Sequence, residues 1–557
     1  MARRLQCRPA TVPGHMFQDN GGPSAQCVPA TTGGGATGGR RRSPALCTNC
    51  PPGLTMAHDP AAPDLAARSA ELADLGYVLS LLYWDQRTKM PAGGLEARGH
   101  QIATIETLIH ERTVDAEYGA LLQAAADTAD DDSAAASRVA HRRRQQAIRL
   151  PGEFVAELAR AASESVGVWS RARAESDFAL FAPNLERLIE LQRRKAEYLG
   201  YEDDPYDALI DLYEPGMTTA RVNELFAPLR QRLSALLKNI GPELDSDPRT
   251  VLHGEFDPDR QVALTRAVIK ELGYDFGRGR QDLTIHPFAV SVGAGDVRVT
   301  LRTEDDYLGM ALFASIHEAG HAMHSQGVPV ALSRTALADC ESLVVCESQS
   351  RLWENLVGRS RPYSDHLLRN LREHFPGRFA SVTPEQLYRD VNRVGAGHIR
   401  VEADELHYNL HVILRFEIEQ DLIAGCLVAA DVPDRWAELS QEMLGVTPPD
   451  DARGCLQDVH WSQAAMGYFP TYTLGNLLAA QLYEAALSSD PAIDSDCRRG
   501  EYSGLLSWMR EHVHRHGSKW NATQLAREEL GQELSAEPLL EYLERKFKAL
   551  YLPEPPS

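Results

Sequence analysis

Apolar side chains recur at intervals of three and four residues along most of this chain, beginning near residue 64. That spacing is typical of amphipathic helices, in which residues three and four apart share one face. It predicts helices at 65–84, 95–114, 118–148, 152–175, 178–199, 219–240 and 259–273, and again from about 304 to the C-terminus. The segment between 85 and 94 contains Met-Pro-Ala-Gly-Gly, which separates the first two helices.

One segment has a different period. In residues 296–303 the apolar residues Val297, Val299 and Leu301 alternate with polar ones, as in a half-buried β-strand. Nowhere does the sequence approach the run of about 18 apolar residues that a membrane-spanning helix needs. The pattern therefore predicts a mostly α fold with a small β-sheet and no membrane partner.

The first 55 residues follow neither period and are rich in Gly and Pro, and their six arginines stand against one acid, Asp19. They lack the apolar run of a secretory signal, and a transit peptide is the functional alternative. We expect residues 1–55 to be a disordered or mis-assigned extension. Residues 56–557 would form one helical domain, with an N-terminal lid portion at about 60–240 and a catalytic portion at about 250–550.

Composition narrows the class of protein. The chain has 557 residues, of which 43% are hydrophobic, and 78 Asp and Glu stand against 57 Lys and Arg. The apolar fraction excludes a disordered protein, and the acidic balance argues against a nucleic-acid partner. Nine scattered cysteines are typical of a reducing compartment rather than of a disulfide framework, and the single Cys47–Cys50 pair is a weak metal signal.

The segment 307–327 carries the clearest chemistry, because it contains His317, Glu318 and His321 in the order His-Glu-x-x-His. On a helix, side chains four residues apart project from one face, so the two imidazoles can bind one metal ion. Glu318 then lies beside the metal, where it can act as a base. His324 is either a further ligand or a packed helix residue, and the second interpretation is favoured.

A catalytic zinc site needs a third protein ligand, for which a carboxylate is the usual choice beside two such histidines. The helical pattern at 338–355 offers Glu341 and Glu347, and Glu347 follows His321 by 26 residues. Six residues on one helix separate the two carboxylates by about 240° around its axis, so both cannot face the metal. The pattern alone leaves the choice open.

Further segments resemble the carboxypeptidase Taq family of cytosolic metallocarboxypeptidases over roughly residues 60–550. They occur in the family's order and lie at 81–91, 286–288, 296–300, 317–321, 347–360, 399–404, 454–461, 467–476 and 514–520. The resemblance implies a large helical metallopeptidase fold with a deep central groove and a small sheet near the active site. One position departs from the family, which usually has His before the third-ligand glutamate where this chain has Cys346. We expect metal binding to survive, with altered metal preference or oxidation sensitivity.

The resemblance also implies roles. His317, His321 and Glu347 would bind Zn²⁺, with Co²⁺ as a substitute, and Glu318 would be the general base. His460 and Tyr472 would donate to the oxyanion, and Tyr468 would either replace Tyr472 or bind the substrate carboxylate.

A guanidinium can bind the free C-terminal carboxylate bidentately, and the resemblance to the family implies that Arg400 is the best candidate for this role. Its alternative is an ion pair with Glu402 or Asp404 that only holds the helix. Arg351 and Arg298 are weaker candidates, since both are expected to pair with nearby carboxylates. Asp296 and Asp404 would either orient site groups or form ordinary salt bridges.

The expected activity is release of single amino acids from peptide C-termini with broad specificity, poor on C-terminal Pro, by a cytoplasmic homodimer. Three alternatives remain. An oligopeptidase or dipeptidyl carboxypeptidase would share the metal motif. A non-catalytic helical scaffold would have to retain the motif without using it, and an acidic binding module explains none of the histidine spacing.

Overall fold

Helices dominate the computed structural model, which describes residues 61–125, 131–241, 250–395 and 397–552. Prolines in the first turn and Ser, Thr, Asp or Asn caps start many of them, as in α9, where the Asp257 side chain accepts from the Arg260 N–H and Pro258 follows. The α-helices are α1 Ala61–Thr88, α2 Leu95–Val114, α3 Ala116–Ala125, α4 Asp131–Arg149, α5 Gly152–Glu175, α6 Ala182–Leu199, α7 Pro205–Ile210, α8 Thr219–Ile240, α9 Pro258–Leu272, α10 Leu308–Gly327, α11 Leu343–Arg351, α12 Arg361–His374, α13 Pro384–Val391, α14 Glu405–Ala424, α15 Val432–Met443, α16 Pro470–Ser489, α17 Ala492–Arg499, α18 Ser503–His512, α19 Ala522–Leu530 and α20 Glu537–Tyr551.

Three short strands form the sheet: β1 Gln281–Leu283, β2 Ala289–Gly293 and β3 Asp296–Leu301. Their order is β1-β3-β2, with β1 parallel and β2 antiparallel to β3. The inward residues Val297, Val299 and Leu301 are buried against the helices. The alternation in the sequence therefore located β3 correctly.

The core lies around α10, α11, α14 and α16, whose residues are mostly buried. α14 is buried on several faces rather than along one stripe: Leu410, Val412 and Leu414 are all fully buried, and so is the charged residue Arg415. A helix of that kind belongs at the centre of a protein. In the part of the chain that the structure describes, no helix is long and apolar enough to cross a membrane.

Most predicted helices are present, with changes at their ends. The predicted helix at 118–148 is two helices, α3 and α4, and the one predicted from 338 begins only at Leu343, because the Ser342 side chain caps it. The expected extension at 1–55 lies outside the described residues. The described residues form one compact unit, and its division into lid and catalytic portions stays a prediction.

Candidate metal centre

α10 places two histidines side by side. His317 and His321 are one helical turn apart, and their ring centroids are 5.0 Å apart. Gly320 lies between them because α11 packs against this point: a Cβ on Gly320 would lie 2.6 Å from the carbonyl oxygen of Gln349. The small residue in the motif therefore makes room for a neighbouring helix.

α11 brings the third ligand. Glu347 Oε2 lies 3.8 Å from His317 Nε2 and 3.6 Å from His321 Nε2. One potential ligand atom of each residue lies within 4.8 Å of the others, and we call these three residues the ligand cluster. Two imidazole nitrogens and one carboxylate oxygen are a donor set that zinc accepts, so the residues fit a single divalent cation.

Two charged residues hold the ligand cluster in place. Glu354 Oε2 lies 2.9 Å from His317 Nδ1, so it can fix the ring with Nε2 facing Glu347. Arg351 donates from Nε to Glu347 Oε1 at 2.6 Å and from Nη1 to Glu354 Oε2 at 3.2 Å, which leaves Oε2 of Glu347 facing the histidines. Glu354 lies in a π-helical segment, Leu352–Val357, that continues α11, and such segments often occur at functional sites.

Burial sets the charge states of these groups. Burial and the nearby His317 lower the pKa of His321 to about 3, which keeps its imidazole neutral and able to bind metal at neutral pH. Burial also lowers the pKa of His317, but Glu347 and Glu354 outweigh it and the net direction is upward. Burial raises the pKa of Glu347, yet Arg351 and the two histidines bring it below its usual range.

Glu318 is the buried carboxyl group beside the ligand cluster, on the face of α10 that meets β2. Burial raises its pKa to about 7, although His317 and a hydrogen bond from the Ala289 N–H oppose that rise. The small sheet therefore contacts the site directly. A carboxyl group with a pKa near neutrality can both accept and release a proton.

α16 brings aromatic side chains to the same region. Gly475 on this helix lets it approach Glu347, since a Cβ there would lie 2.7 Å from Glu347 Cγ. Tyr472 Oη lies 3.1 Å from His460 Nε2, and the Tyr468 ring centroid lies 5.3 Å from that of Tyr472 and 5.4 Å from that of His460. His460, Tyr468 and Tyr472 thus form one aromatic cluster. Burial lowers the pKa of His460 to about 4, so its ring is neutral at pH 7.

A second charged group, here called the arginine cluster, consists of Arg400, Arg415 and Asp458. Arg400 donates to Asp458 Oδ1 from Nε at 3.1 Å and from Nη2 at 2.8 Å, and Arg415 Nε donates to Asp458 Oδ2 at 2.7 Å. The Arg400 guanidinium carbon lies 4.8 Å from the Tyr472 ring centroid. The arginine cluster therefore adjoins the aromatic cluster, and its two arginines share one carboxylate.

Arg400 does not pair with Glu402 or Asp404, the partners in the alternative interpretation, and its carboxylate partner is Asp458. Asp404 instead caps α14 and pairs with His407 Nδ1 at 2.7 Å. Arg298 pairs with Asp296 and lies over the Trp84 ring, which is the structural ion pair expected of it. Arg351 is likewise committed to carboxylates, through Glu347 and Glu354.

Glu341, the competing third ligand, lies before α11 and is bound elsewhere. It accepts from Arg142 Nη1 at 2.7 Å and from Arg143 Nε at 2.8 Å. Because α11 begins at Leu343, the prediction that Glu341 and Glu347 lie on one helix is wrong. His324 is buried, and its ring packs 5.2 Å from that of His514.

The residue that departs from the family pattern has a partner. Cys346 is disulfide-linked to Cys340, with Cα atoms 6.5 Å apart, a usual span for such a bond. The number and spacing of the cysteines indicate a reducing compartment and do not predict this disulfide. Only the short connection into α11 brings the two residues together.

Sequence reasoning missed Glu354, Tyr408, Asp458 and Arg415 as parts of the site. Glu354 and Asp458 stand inside motifs that the sequence makes visible. Glu354 could have been found, because a metal-binding histidine usually has a carboxylate behind it. Tyr408 and Arg415 lie on the buried helix α14, where pattern alone does not distinguish site residues from core residues.

Two histidines and a glutamate that converge on one point, beside a buried carboxyl group, define the site of a metallohydrolase. The profile described as "Carboxypeptidase Taq (M32) metallopeptidase" matches residues 64–547. Thermostable carboxypeptidase 1 of Thermus thermophilus is 39% identical over 497 residues, which cover 87% of this chain and 97% of that protein. Carboxypeptidase 1 of Bacillus subtilis is 36% identical over 477 residues, covering 85% and 95%.

Solved structures agree with the sequence matches. The crystal structure of an M32 carboxypeptidase from Deinococcus radiodurans R1 has a TM-score of 0.85 and 42% identity, covering 88% of this chain and all of that one. The chain belongs to the carboxypeptidase Taq (M32) family of metallopeptidases. Membership supports metallocarboxypeptidase activity on peptides and implies a metal cofactor, for which the ligand cluster is the candidate site.

Proposed function

We propose that this protein is a zinc carboxypeptidase that releases single amino acids from the free C-termini of peptides. The observation that carries the proposal is that the ligand cluster and Arg400 both adjoin the aromatic cluster. The ligand cluster, with Glu318 beside it, adjoins the aromatic cluster, and the aromatic cluster adjoins Arg400. The ligand cluster with Glu318 suits peptide-bond hydrolysis, and Arg400 suits recognition of the carboxylate at a chain end.

His317, His321 and Glu347 would hold the cation, for which zinc is the first choice and cobalt a substitute. When bound, such an ion would polarise a carbonyl group and lower the pKa of the water bound to it towards about 7. Glu347 is kept ionised by Arg351, and His321 is kept neutral by burial, so both donors are ready at pH 7.

Glu318 is proposed as the general base. Glu318 is 8% exposed, and the raised pKa of about 7 lets its carboxyl group take a proton from the attacking water and later release it to the leaving amine. The N–H of Ala289 holds one side of this carboxyl group, so its position does not depend on substrate.

His460 and Tyr472 are proposed as donors to the oxygen that becomes negative during attack. The hydrogen bond of 3.1 Å between His460 Nε2 and Tyr472 Oη fixes both side chains before substrate arrives. With the proton on Nε2, His460 donates to the phenol oxygen and leaves the Tyr472 O–H free for the substrate oxygen, and a preorganised donor of this kind stabilises a transition state. Burial raises the pKa of Tyr468 to about 12 and raises the pKa of Tyr472 well above its usual range, so both phenols keep the proton that they would donate. Tyr468 is the alternative donor, or a ligand of the substrate carboxylate.

Arg400 is proposed to bind the substrate's terminal carboxylate. Its guanidinium is buried and already held by Asp458, so binding an anion would cost little side-chain entropy. Broad specificity with poor acceptance of C-terminal Pro, a cytoplasmic location and a homodimeric state are further proposals, and they rest on family resemblance alone.

Mass spectrometry of peptide digests tests this function. We expect single residues to be removed in sequence from the C-terminus, activity to be lost on chelation, and zinc or cobalt to restore it. Dipeptide products or internal cuts would favour an oligopeptidase of similar build. Hydrolysis that a chelator does not affect, or no hydrolysis after metal loading, would contradict the proposal.

A further inference from the structure

Tyr408 lies on α14 between the ligand cluster and the arginine cluster. Its phenol oxygen accepts a hydrogen bond from Arg351 Nη2 and another, of 3.1 Å, from Arg400 Nη1. The guanidinium carbons of the same two arginines lie 4.3 and 5.7 Å from its ring centroid. One side chain therefore contacts both arginines by its oxygen and by its ring.

Each of these arginines is fixed at its other end by a different carboxylate. Arg351 donates to Glu347, and Arg400 donates to Asp458. A continuous chain of hydrogen bonds thus runs from Glu347 through Arg351, Tyr408 and Arg400 to Asp458. Tyr408 is the link at which a charged group of one cluster meets a charged group of the other.

The helix that carries Tyr408 is itself firmly held. The neighbouring Asn409 accepts hydrogen bonds from Thr473 Oγ1 at 3.1 Å and from Asn476 Nδ2 at 2.9 Å, which join α14 to α16. Tyr408 is 7% exposed, so its ring has little room to turn. Its phenol oxygen therefore offers both arginines an acceptor at a fixed position.

We infer that Tyr408 is a positioning residue that holds Arg400 at a set place relative to the ligand Glu347. This inference rests on the proposed function, in which Arg400 binds the substrate carboxylate while the bond to be cut lies at the ligand cluster. Both ends of the substrate must then fit at once, and misplacement of about 1 Å can cost about a hundredfold in rate. The phenol would act on the reaction only through Arg400 and Arg351.

The test uses Tyr408→Phe, which keeps the ring beneath the arginines and removes their shared acceptor. The probes are two versions of one short peptide, one with a free C-terminal acid and one amidated. For wild type we expect a strong preference for the acid. In Tyr408→Phe we expect that preference, the ratio of kcat/KM values, to fall about tenfold, as for one lost hydrogen bond to a charged group, with zinc content unchanged.

A double-mutant cycle separates positioning from general loss of structure. If Tyr408 acts through Arg400, adding Tyr408→Phe to Arg400→Ala should change the acid preference little further. Tyr363→Phe is the matched control, because Tyr363 is a buried tyrosine whose ring neighbours are His366 and Tyr502, and its acid preference should equal that of wild type. If Tyr408→Phe does not fold, Tyr408→His, which retains a ring acceptor, should show the same loss to a smaller degree.

An unchanged acid preference in a folded Tyr408 variant would overturn the inference. So would an equal further loss in the Arg400→Ala background. Failure of the proposed function would look different, because wild type itself would then show no preference for the free acid or would release no single amino acids.

Discussion

The ligand cluster and the arginine cluster are built alike but carry opposite charge imbalances. Around the first, three carboxyl groups, those of Glu318, Glu347 and Glu354, stand against two arginines, Arg351 and Arg359. In the second, Arg400 and Arg415 share Asp458. One region has an excess of negative charge and the other an excess of positive charge.

Buried charge without a counterion is costly, so such an imbalance is retained where a ligand supplies the missing charge. A divalent cation would balance the first region, and a carboxylate would balance the second. A peptide with a free C-terminus offers that carboxylate. Cation binding and carboxylate binding would therefore depend on two separate charge imbalances, which lie in adjacent clusters.

The largest effect should come from removing the carboxylate that faces the two histidines. Glu347→Ala should lower metal affinity by more than about a hundredfold, since even partners behind a ligand contribute ten- to a hundredfold. Metal content after dialysis measures this. Glu341→Ala is the control, because Glu341 is bound to Arg142 and Arg143 instead. Equal metal loss in both variants would contradict the assignment.

Glu318→Gln should leave the metal bound but remove the base. The amide keeps the shape of the side chain, and the Ala289 N–H can still donate to its oxygen, so the fold should be unaffected. We expect kcat to fall at least about a hundredfold, the usual scale of general acid–base catalysis. Measuring kcat beside zinc content separates the two effects, and near-normal turnover would rule out Glu318 as the base.

Arg400→Ala tests the positive region. The variant would lose the pair between Arg400 and the substrate's terminal carboxylate. This loss should lower kcat/KM about ten- to a hundredfold, because hydrogen bonds to charged groups contribute about 1.5–3 kcal/mol. Lys at this position should restore part of the activity, since it supplies charge without the bidentate fork. The penalty for amidating the substrate should shrink in Arg400→Ala.

If instead that penalty stayed constant while the midpoint of thermal unfolding fell, Arg400 would be structural. Carboxylate recognition would then have to move to another group. Arg351 and Arg298 are already paired with carboxylates, which leaves Tyr468 as the candidate.

How much of this could be read from sequence differs between the two regions. The pair His317 and His321 follows from helical spacing, and β3 from alternation at Val297 and Val299, because both are local patterns. The third ligand could be narrowed only to Glu341 or Glu347. The choice between them depends on the Ser342 cap and on Arg142 and Arg143, and these two arginines are close to Glu341 in space but not in sequence.

The positive region was less predictable. Arg400 was identified by family resemblance, but its partner Asp458 lies 58 residues away, and no periodicity connects the two. Tyr408 and Arg415 lie on a helix that is buried on most sides, where polar and apolar residues alternate without a pattern that marks site residues. Networks of buried charges depend on tertiary packing, so single members could be proposed from the sequence, but the ion pairs between them could not be predicted.

The smallest effect should come from Glu354, which acts on the metal through His317. Glu354→Gln keeps an acceptor for His317 Nδ1 but removes the negative charge that raises the basicity of the ring. We expect metal affinity to fall about tenfold, at the lower end of the range for such partners, because the three ligands remain. Competition with a chromogenic chelator measures the affinity. Glu544→Gln, which breaks an ion pair with Arg232 away from the site, is the control and should leave affinity unchanged. Unchanged affinity in Glu354→Gln would mean that Arg351 and Arg359, the other partners of this carboxylate, are the reason for its presence, and that the negative excess does not serve the metal.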